Sequence, residues 1–369
     1  MEDKPIRIHF AGGGTAGHLY PALAIAKEFR NRFPNCEIAF WGTKKGIEYR
    51  LKDQLGYRLN FIRIRGFKRN LTLENLLIPL EFMASVINLL FQFLRKRPDL
   101  VVGSGGYVSL PVVSSAVTLR IPTAIHEQNS FPGASTRLLG KWAKRIYLTY
   151  GSSEKYFKHK EKIKVFGNPV RQIDSSVDPF VALQEFAFDS SKKTLFIFGG
   201  SQGALKINEL MIEIAPQIIQ ECGIQIIWAT GSNHYKKIVE TFGDQSGIKL
   251  FPFIHRIYSA YAACNLCICR AGATTIAELT YLEVPAILIP FPYATAGHQE
   301  YNARDLESKG AAICLLEGDL DADKLFQTIK ETINDDAKLS KMKMNMKSLA
   351  RPNAAHDIVS DLCNTLLFN

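Results

Sequence analysis

Apolar positions along the chain fall into short β-branched and aromatic runs separated by longer segments with helical spacing. Residues 6–11, 38–41, 59–64, 100–103, 123–127 and 164–167 read as buried strands, each followed by helix-like sequence. The pattern restarts at residues 194–198 and continues through 224–229, 249–251, 266–269, 286–289 and 312–315. Strands that alternate with helices require right-handed crossovers and parallel sheets covered on both faces. The predicted fold is therefore α/β, with two Rossmann-like doubly wound domains. Turn chemistry at Asn168-Pro169, Ser175-Ser176 and Asp189-Ser190-Ser191 places the hinge within residues 168–193. The expected domains are 1–166 and 167–349, with a C-terminal helix at about residues 350–369 packing back on the first.

One apolar stretch departs from this alternation. Residues 76–94 would pass for a membrane span by hydropathy, but Glu81, Ser85, Asn88 and Gln92 are spaced four, three and four apart. That spacing gathers them into one stripe of an amphipathic helix and leaves the other faces apolar. Basic residues flank it, Arg63, Arg65, Lys68 and Arg69 before and Arg95, Lys96 and Arg97 after. The segment from Leu76 to Arg97 is thus expected to lie on anionic inner-leaflet phospholipid, with Leu76, Leu77, Leu80 and Phe82 exposed. The alternative is that its apolar faces pack into the first domain and the cations are simply solvated.

The charge distribution reinforces the first reading. The net charge of +10 is uneven: residues 1–165 carry 27 Lys and Arg against 12 Asp and Glu, and the remainder 18 against 23. The basic half is suited to an anionic partner, whether lipid, nucleic acid or phosphorylated substrate. The start, MEDKPIRIHF, lacks the apolar core of a signal peptide, and seven cysteines show no disulfide-like spacing, so a cytoplasmic chain with reduced thiols is expected.

The chemistry gathers at glycines following strands. Gly12-Gly13-Gly14-Thr15-Ala16-Gly17-His18, Gly103-Ser104-Gly105-Gly106 and Gly199-Gly200-Ser201-Gln202-Gly203 each stand where an open α/β sheet binds ligands, and where backbone amides approach an anion. None continues into Gly-Lys-Ser/Thr or the spaced dinucleotide fingerprint, which argues against an ATPase and a dehydrogenase. Arg270-Ala271-Gly272-Ala273-Thr274-Thr275-Ile276-Ala277-Glu278 is a fourth such opening, with amides for a diphosphate and a carboxylate one turn on for ribose hydroxyls. The same acid also suits the helix dipole. Asp319, Asp321 and Asp323 precede a helix-like segment and read as caps rather than a metal site. Cys264, Cys267 and Cys269 lack the second ligand pair that zinc needs.

The segments GGGTAGHLYPALAIA, GSGGYVSLPV, HEQNSFPG, GNPVR, FGGSQGA, RAGATTIAEL and GHQEYNA, in that order from residue 12 to residue 303, resemble the MurG family. These N-acetylglucosaminyltransferases complete the lipid-linked disaccharide precursor of bacterial peptidoglycan. The resemblance implies a GT-B arrangement of two domains facing across a cleft, with UDP-GlcNAc on the second and a lipid-linked muramyl-peptide pyrophosphate on the first. It puts the donor diphosphate near Ser201 and Arg171, the opening at Ala273, Thr274, Thr275, Ile276 and Ala277 around it, the ribose on Glu278 and the uracil near Ile254. Gln299 would address the transferred sugar, with Thr15, Ala16, Gly17 and Asn129 closing the donor site. Gly14, Gly105 and Gly106 would meet the acceptor pyrophosphate. An arginine fork and a serine hydroxyl beside glycine amides suit phosphate on chemical grounds as well.

The implied reaction needs a base for the attacking 4-hydroxyl and relief for the departing diphosphate. His18 is the first candidate and Glu127 the second. Inversion at the anomeric carbon without a covalent intermediate, a cofactor or an essential metal is expected, at the cytoplasmic face of the membrane. Rival readings are a glycolipid synthase or a UDP-sugar epimerase of the same fold. A nucleic-acid-binding protein is disfavoured, because no recognised motif or interleaved basic and aromatic strand is present.

Overall fold

In the computed structural model, which describes residues 5–66, 76–170, 176–200, 202–243 and 245–368, the chain forms two compact units. The first comprises Met1–Gln172 with Arg351–Asn369, and the second Ile173–Ala350.

The first unit is built on seven strands: β1 (Arg7–Gly12), β2 (Glu37–Gly42), β3 (Arg58–Phe61), β4 (Leu100–Gly105), β5 (Thr123–Glu127), β6 (Arg145–Leu148) and β7 (Ile163–Val165). Their order is β3-β2-β1-β4-β5-β6-β7, all parallel, with Ile8 beside Leu100 and Phe10 beside Val102 in register. Strand β6, Arg-Ile-Tyr-Leu, was not expected from the pattern, and the edge strands β3 and β7 are partly exposed rather than buried. One face of the sheet carries Ile8, Phe10, Leu19 and Phe29 packed with Ile358, Val359 and Leu362. The other carries Trp41, Val101, Val108, Val112, Leu89 and Phe93. Each large side chain removed from water contributes roughly 1.5–3 kcal/mol, so both layers are held chiefly by burial.

Helix Ala354–Leu362 lies on helix Ala16–Arg32, which makes the C-terminal segment part of the first unit's core. A polar lock fixes it: Asp361 accepts Arg145 Nε at 3.1 Å and the Tyr147 hydroxyl at 2.7 Å. Burial and the adjacent carboxylate push the Tyr147 phenol well above its ordinary range, so it stays a donor.

The helix Ile78–Arg95 corrects the expected polar stripe. Its inward line is Ser85, Leu89 and Phe93, where Ser85 donates to the Arg63 carbonyl at 2.7 Å. Glu81 turns to Arg65 at 2.5 Å, so only Asn88 and Gln92 of the stripe face outward. A short polar side chain that finds a backbone acceptor can sit on the buried line as well as a leucine. The exposed face is apolar instead: Leu80, Met83, Ile87, Phe91 and Leu94, preceded by exposed Leu76 and Leu77, with Phe82 only partly exposed. At 18 residues the helix is also long and apolar enough to cross a membrane by length and composition. Lys68 and Arg69 lie outside the described residues.

The second unit has six strands: β8 (Thr194–Phe198), β9 (Gln225–Ala229), β10 (Ile248–Phe251), β11 (Leu266–Cys269), β12 (Ala286–Leu288) and β13 (Ala312–Cys314). Their order is β10-β9-β8-β11-β12-β13, again all parallel. Its core joins Leu195, Ile197, Met211, Trp228, Ile268 and Ile329. Asp321 caps the helix Ala322–Ile333 by accepting the Lys324 amide at 2.8 Å. All seven cysteines are free.

Candidate functional site

A doubly wound sheet reverses strand order at one point, and ligands bind beyond the strand ends there. In the first sheet that point lies between β1 and β4, and in the second between β8 and β11. The four glycine and small-residue openings of the sequence follow these four strands. Each unit therefore presents one candidate site at its own switch point.

In the first unit, β1 ends at Gly12 and Thr15 precedes the helix Ala16–Arg32, which carries Ala16, Gly17 and His18 in its first turn. Buried Glu48 holds this loop from beneath, accepting the amides of Gly14 at 2.9 Å and Thr43 at 2.8 Å. The Gly14 amide expected at a pyrophosphate is thus engaged by a carboxylate. Across the switch point, the Gly105 amide donates to the Ser109 hydroxyl at 3.1 Å, so its expected role at an anion would also need that bond to give way. The helix Gly106–Thr118 starts here, and its N-terminal dipole favours negative charge. Gly105 has φ +100°, and a Cβ there would stand 2.7 Å from His18 Nδ1. A Cβ on Gly106 would stand 3.2 Å from His18 Cδ2, so the two glycines form the wall against which the imidazole lies.

The loop after β5 supplies the other side of His18. His18 Nδ1 is 3.0 Å from Gln128 Oε1. Glu127 is buried, and its oxygens accept the Asn129 amide at 3.0 Å, the Asn129 side chain at 3.2 Å and the Gly133 amide at 3.0 Å. Three donors from its own loop occupy this carboxylate, which gives it a loop-organising place. Asn129 is held at that loop by its two bonds to Glu127.

In the second unit, the loop after β8 is threaded tightly against the loop after β9. Gly203 has φ +78°, and a Cβ there would meet the Thr230 carbonyl oxygen at 2.1 Å. Asn208 ties the two together, donating to the Thr230 carbonyl at 2.8 Å and accepting the Trp228 indole N–H at 3.0 Å. After β11, Gly272 precedes the helix Ala273–Tyr281, whose opening carries Ala273, Thr274, Thr275, Ile276 and Ala277. The Thr274 hydroxyl is enclosed and has no hydrogen-bond partner among the described residues, an unusual cost that a bound acceptor would relieve. Glu278 is buried one turn on, 3.4 Å from the Tyr261 hydroxyl. Gln299 Oε1 accepts the Phe291 amide at 3.0 Å, which turns its side chain to the loop after β12. Ile254 follows β10 and is partly exposed. Arg171 and Ser201 lie outside the described residues.

Three residues that organise these loops were not singled out from sequence. Glu48 looks like an ordinary first-turn acid, Gln128 like a polar loop residue, and Asn208 like a mid-helix amide. Each acts across a long chain separation, which no local pattern displays.

The glycosyltransferase family 28 N-terminal domain matches residues 8–148, and the family 28 C-terminal domain matches residues 194–358. A relative from a Thermoanaerobacter species is 43% identical over 357 residues, 95% of this chain and 97% of its own. One from Acetivibrio thermocellus is 40% identical over 362 residues, 97% and 98% of the two chains. Both are described as UDP-N-acetylglucosamine–N-acetylmuramyl-(pentapeptide) pyrophosphoryl-undecaprenol N-acetylglucosamine transferase. The crystal structure of Acinetobacter baumannii MurG superposes with a TM-score of 0.79 at 26% identity, covering 98% of this chain and 100% of that one.

Proposed function

Because the chain belongs to glycosyltransferase family 28, in both its N- and C-terminal domains, we infer that it transfers N-acetylglucosamine from UDP-GlcNAc to the muramyl sugar of undecaprenyl-pyrophosphoryl-MurNAc-peptide. The product is the lipid-linked disaccharide, lipid II, used for peptidoglycan. The observation that carries this reading is identity of 40–43% along nearly the whole of this chain and of its relatives.

Our reading of the chemistry goes further. His18 takes the proton of the acceptor 4-hydroxyl, and the oxygen attacks the anomeric carbon opposite the departing diphosphate, giving inversion in one step. The opening at Ala273–Tyr281 supplies helix-terminal amides and the enclosed Thr274 hydroxyl for the diphosphate, Glu278 takes the ribose and Ile254 borders the uracil. Arg171 and Ser201 complete the phosphate contacts, Gln299 the sugar contacts, and Thr15, Ala16, Gly17 and Asn129 the acceptor-side wall. The helix start at Gly106 supports a place for the acceptor pyrophosphate, with Gly14 and Gly105 shaping the loops around it. No metal is assigned a step. The exposed apolar face of Ile78–Arg95 supports peripheral docking on anionic lipid, from which a polyprenyl acceptor would be drawn.

Radiolabelled UDP-GlcNAc and a lipid-linked muramyl-peptide pyrophosphate should give label in the lipid phase, with and without chelator. His18→Ala should lower turnover on the order of 10²–10⁴-fold, the usual contribution of a general base, with donor affinity retained. Failure of label to reach lipid while donor still binds would redirect the acceptor to that of a glycolipid synthase, or the chemistry to an epimerase. Near-normal turnover in His18→Ala would remove the base assignment alone.

A further inference from the structure

The relay of side chains behind His18 determines which of its nitrogens carries a proton. It begins at His126, which is fully buried, with Nε2 3.1 Å from the Gly167 carbonyl oxygen. A carbonyl can only accept, so Nε2 is the protonated nitrogen. Burial, and secondarily the neighbouring His18, push the His126 pKa down to about 4, so at neutral pH its Nδ1 presents a lone pair.

Gln128 is the next member and is also buried. Its Nε2 stands 2.9 Å from His126 Nδ1, 2.9 Å from the Ser104 carbonyl oxygen and 3.3 Å from the His126 carbonyl oxygen. All three are acceptors. The reversed amide would set an oxygen against two carbonyls and a lone pair, so the orientation with nitrogen inward is the one the surroundings permit. Gln128 Oε1 is thereby aimed outward, 3.0 Å from His18 Nδ1, and an amide oxygen there requires an N–H opposite it. The ring cannot readily tip away, because Gly105 and Gly106 lie against it.

We propose that Gln128, backed by His126 and the Ser104 carbonyl, is a positioning residue that locks His18 as the Nδ1–H tautomer and so leaves Nε2 as the proton acceptor. The inference rests on the reading of His18 as the base. In the transfer step the acceptor O–H bond breaks as the Nε2–H bond forms. The oxygen's electron pair makes the new glycosidic bond, and the anomeric C–O bond to the diphosphate breaks with its pair leaving on UDP. The resulting imidazolium keeps its Nδ1–H donated to Gln128, and its extra proton returns to water. A neutral amide orients the ring as the aspartate of a serine-hydrolase triad does, but without the negative charge that stabilises the imidazolium there. Other titratable groups on the adjoining segments include Glu48 beneath the glycine loop and Glu127, each engaged with backbone amides, Tyr107, whose hydroxyl stands 3.2 Å from Thr43 Oγ1, and Tyr20 on the helix of His18 itself.

The test is a two-bond ¹⁵N–¹H correlation spectrum of histidine-labelled full-length protein, with the His18 signals assigned by their loss in His18→Gln. In wild type the neutral form of the His18 ring should carry its proton on Nδ1. Gln128→Leu should lose that preference and lower kcat about 10–100-fold with donor KM within about twofold. Gln128→Glu keeps an acceptor for Nδ1–H, its second oxygen carrying the proton that faces His126 Nδ1, so the tautomer and kcat should both return towards wild type, a return of the tautomer that a merely structural role would not produce. Wild-type His18 found as the Nε2–H tautomer overturns the lock without any variant having to fold. An unchanged tautomer and kcat in Gln128→Leu overturns it as well. Undiminished transfer in His18→Gln would instead remove the base reading and, with it, the catalytic meaning of the lock.

Discussion

The His18 imidazole occupies space that exists because two neighbouring residues have no side chain. Gly105→Ala would put a methyl carbon 2.7 Å from Nδ1, at a φ of +100° that alanine rarely adopts. The ring would have to leave Gln128. The expected result is loss of turnover of at least tenfold, larger than the loss of thermal stability would account for, measured by transfer rate beside a melting curve. His18 and its glycines were legible in the sequence because strand end, glycine run and helix start are contiguous there. Gln128 was not, because its meaning depends on Ser104, His126 and His18, brought together from three strand ends. Gly14 and Gly105 show the converse: a glycine run read as a row of amides for an anion in fact spends these two amides on Glu48 and Ser109.

At the scale of elements, alternation of apolar runs and helical segments located twelve of the thirteen strands among the described residues, since a strand covered on both faces is a nearly continuous apolar run. Strand β6 escaped because it begins at Arg145, after Lys141 and Lys144, so no apolar run announces it. Its arginine is explained only by Asp361, which arrives from the far end of the chain. The helix Ile78–Arg95 was recognised as amphipathic, but its faces were assigned by polarity alone, and Ser85 and Glu81 are on the inner side. The basic flank is also partly engaged: Lys96 with Glu37 at 2.6 Å, Arg97 with the Leu119 carbonyl at 2.9 Å. Lipid binding should therefore depend more on apolar contact than on charge. Leu80→Asp with Phe91→Asp, both on the exposed face, should abolish cosedimentation with phosphatidylglycerol vesicles while leaving melting temperature nearly unchanged. Retained binding by the double variant would exclude this face.

At the scale of the whole molecule, two buried histidines tie the first unit's stability to pH. His9, enclosed by Trp41 and Phe93 and accepting the Trp41 indole N–H at 3.1 Å, has its pKa pushed down to about 4 by burial and then by Arg58. His126 is lowered to about 4 as well, and both belong to the first unit. A depressed folded-state pKa means that the unfolded chain binds the extra proton first. Stability present above the unfolded value near 6.5 is then lost as pH falls towards 4. On the order of 2 kcal/mol per group should disappear by pH 5. Calorimetry at pH 7.5 and pH 5 should show the first unit's transition moving down, and His9→Gln should flatten that dependence.

The return of Ala354–Leu362 to the first sheet also sets a timetable. The second unit, Ile173–Ala350, is one uninterrupted stretch and can close its core as soon as it has been made. The first unit begins earlier but must wait for Ile358, Val359 and Leu362 to cover Ile8, Phe10 and Phe29. At roughly 5–20 residues per second, the 178 residues between Gln172 and Arg351 take about 10–35 s to synthesise. Through that interval an uncovered apolar strip travels on the ribosome, so the domain translated first is the one that finishes folding last, and the nascent chain's need for chaperones is concentrated there.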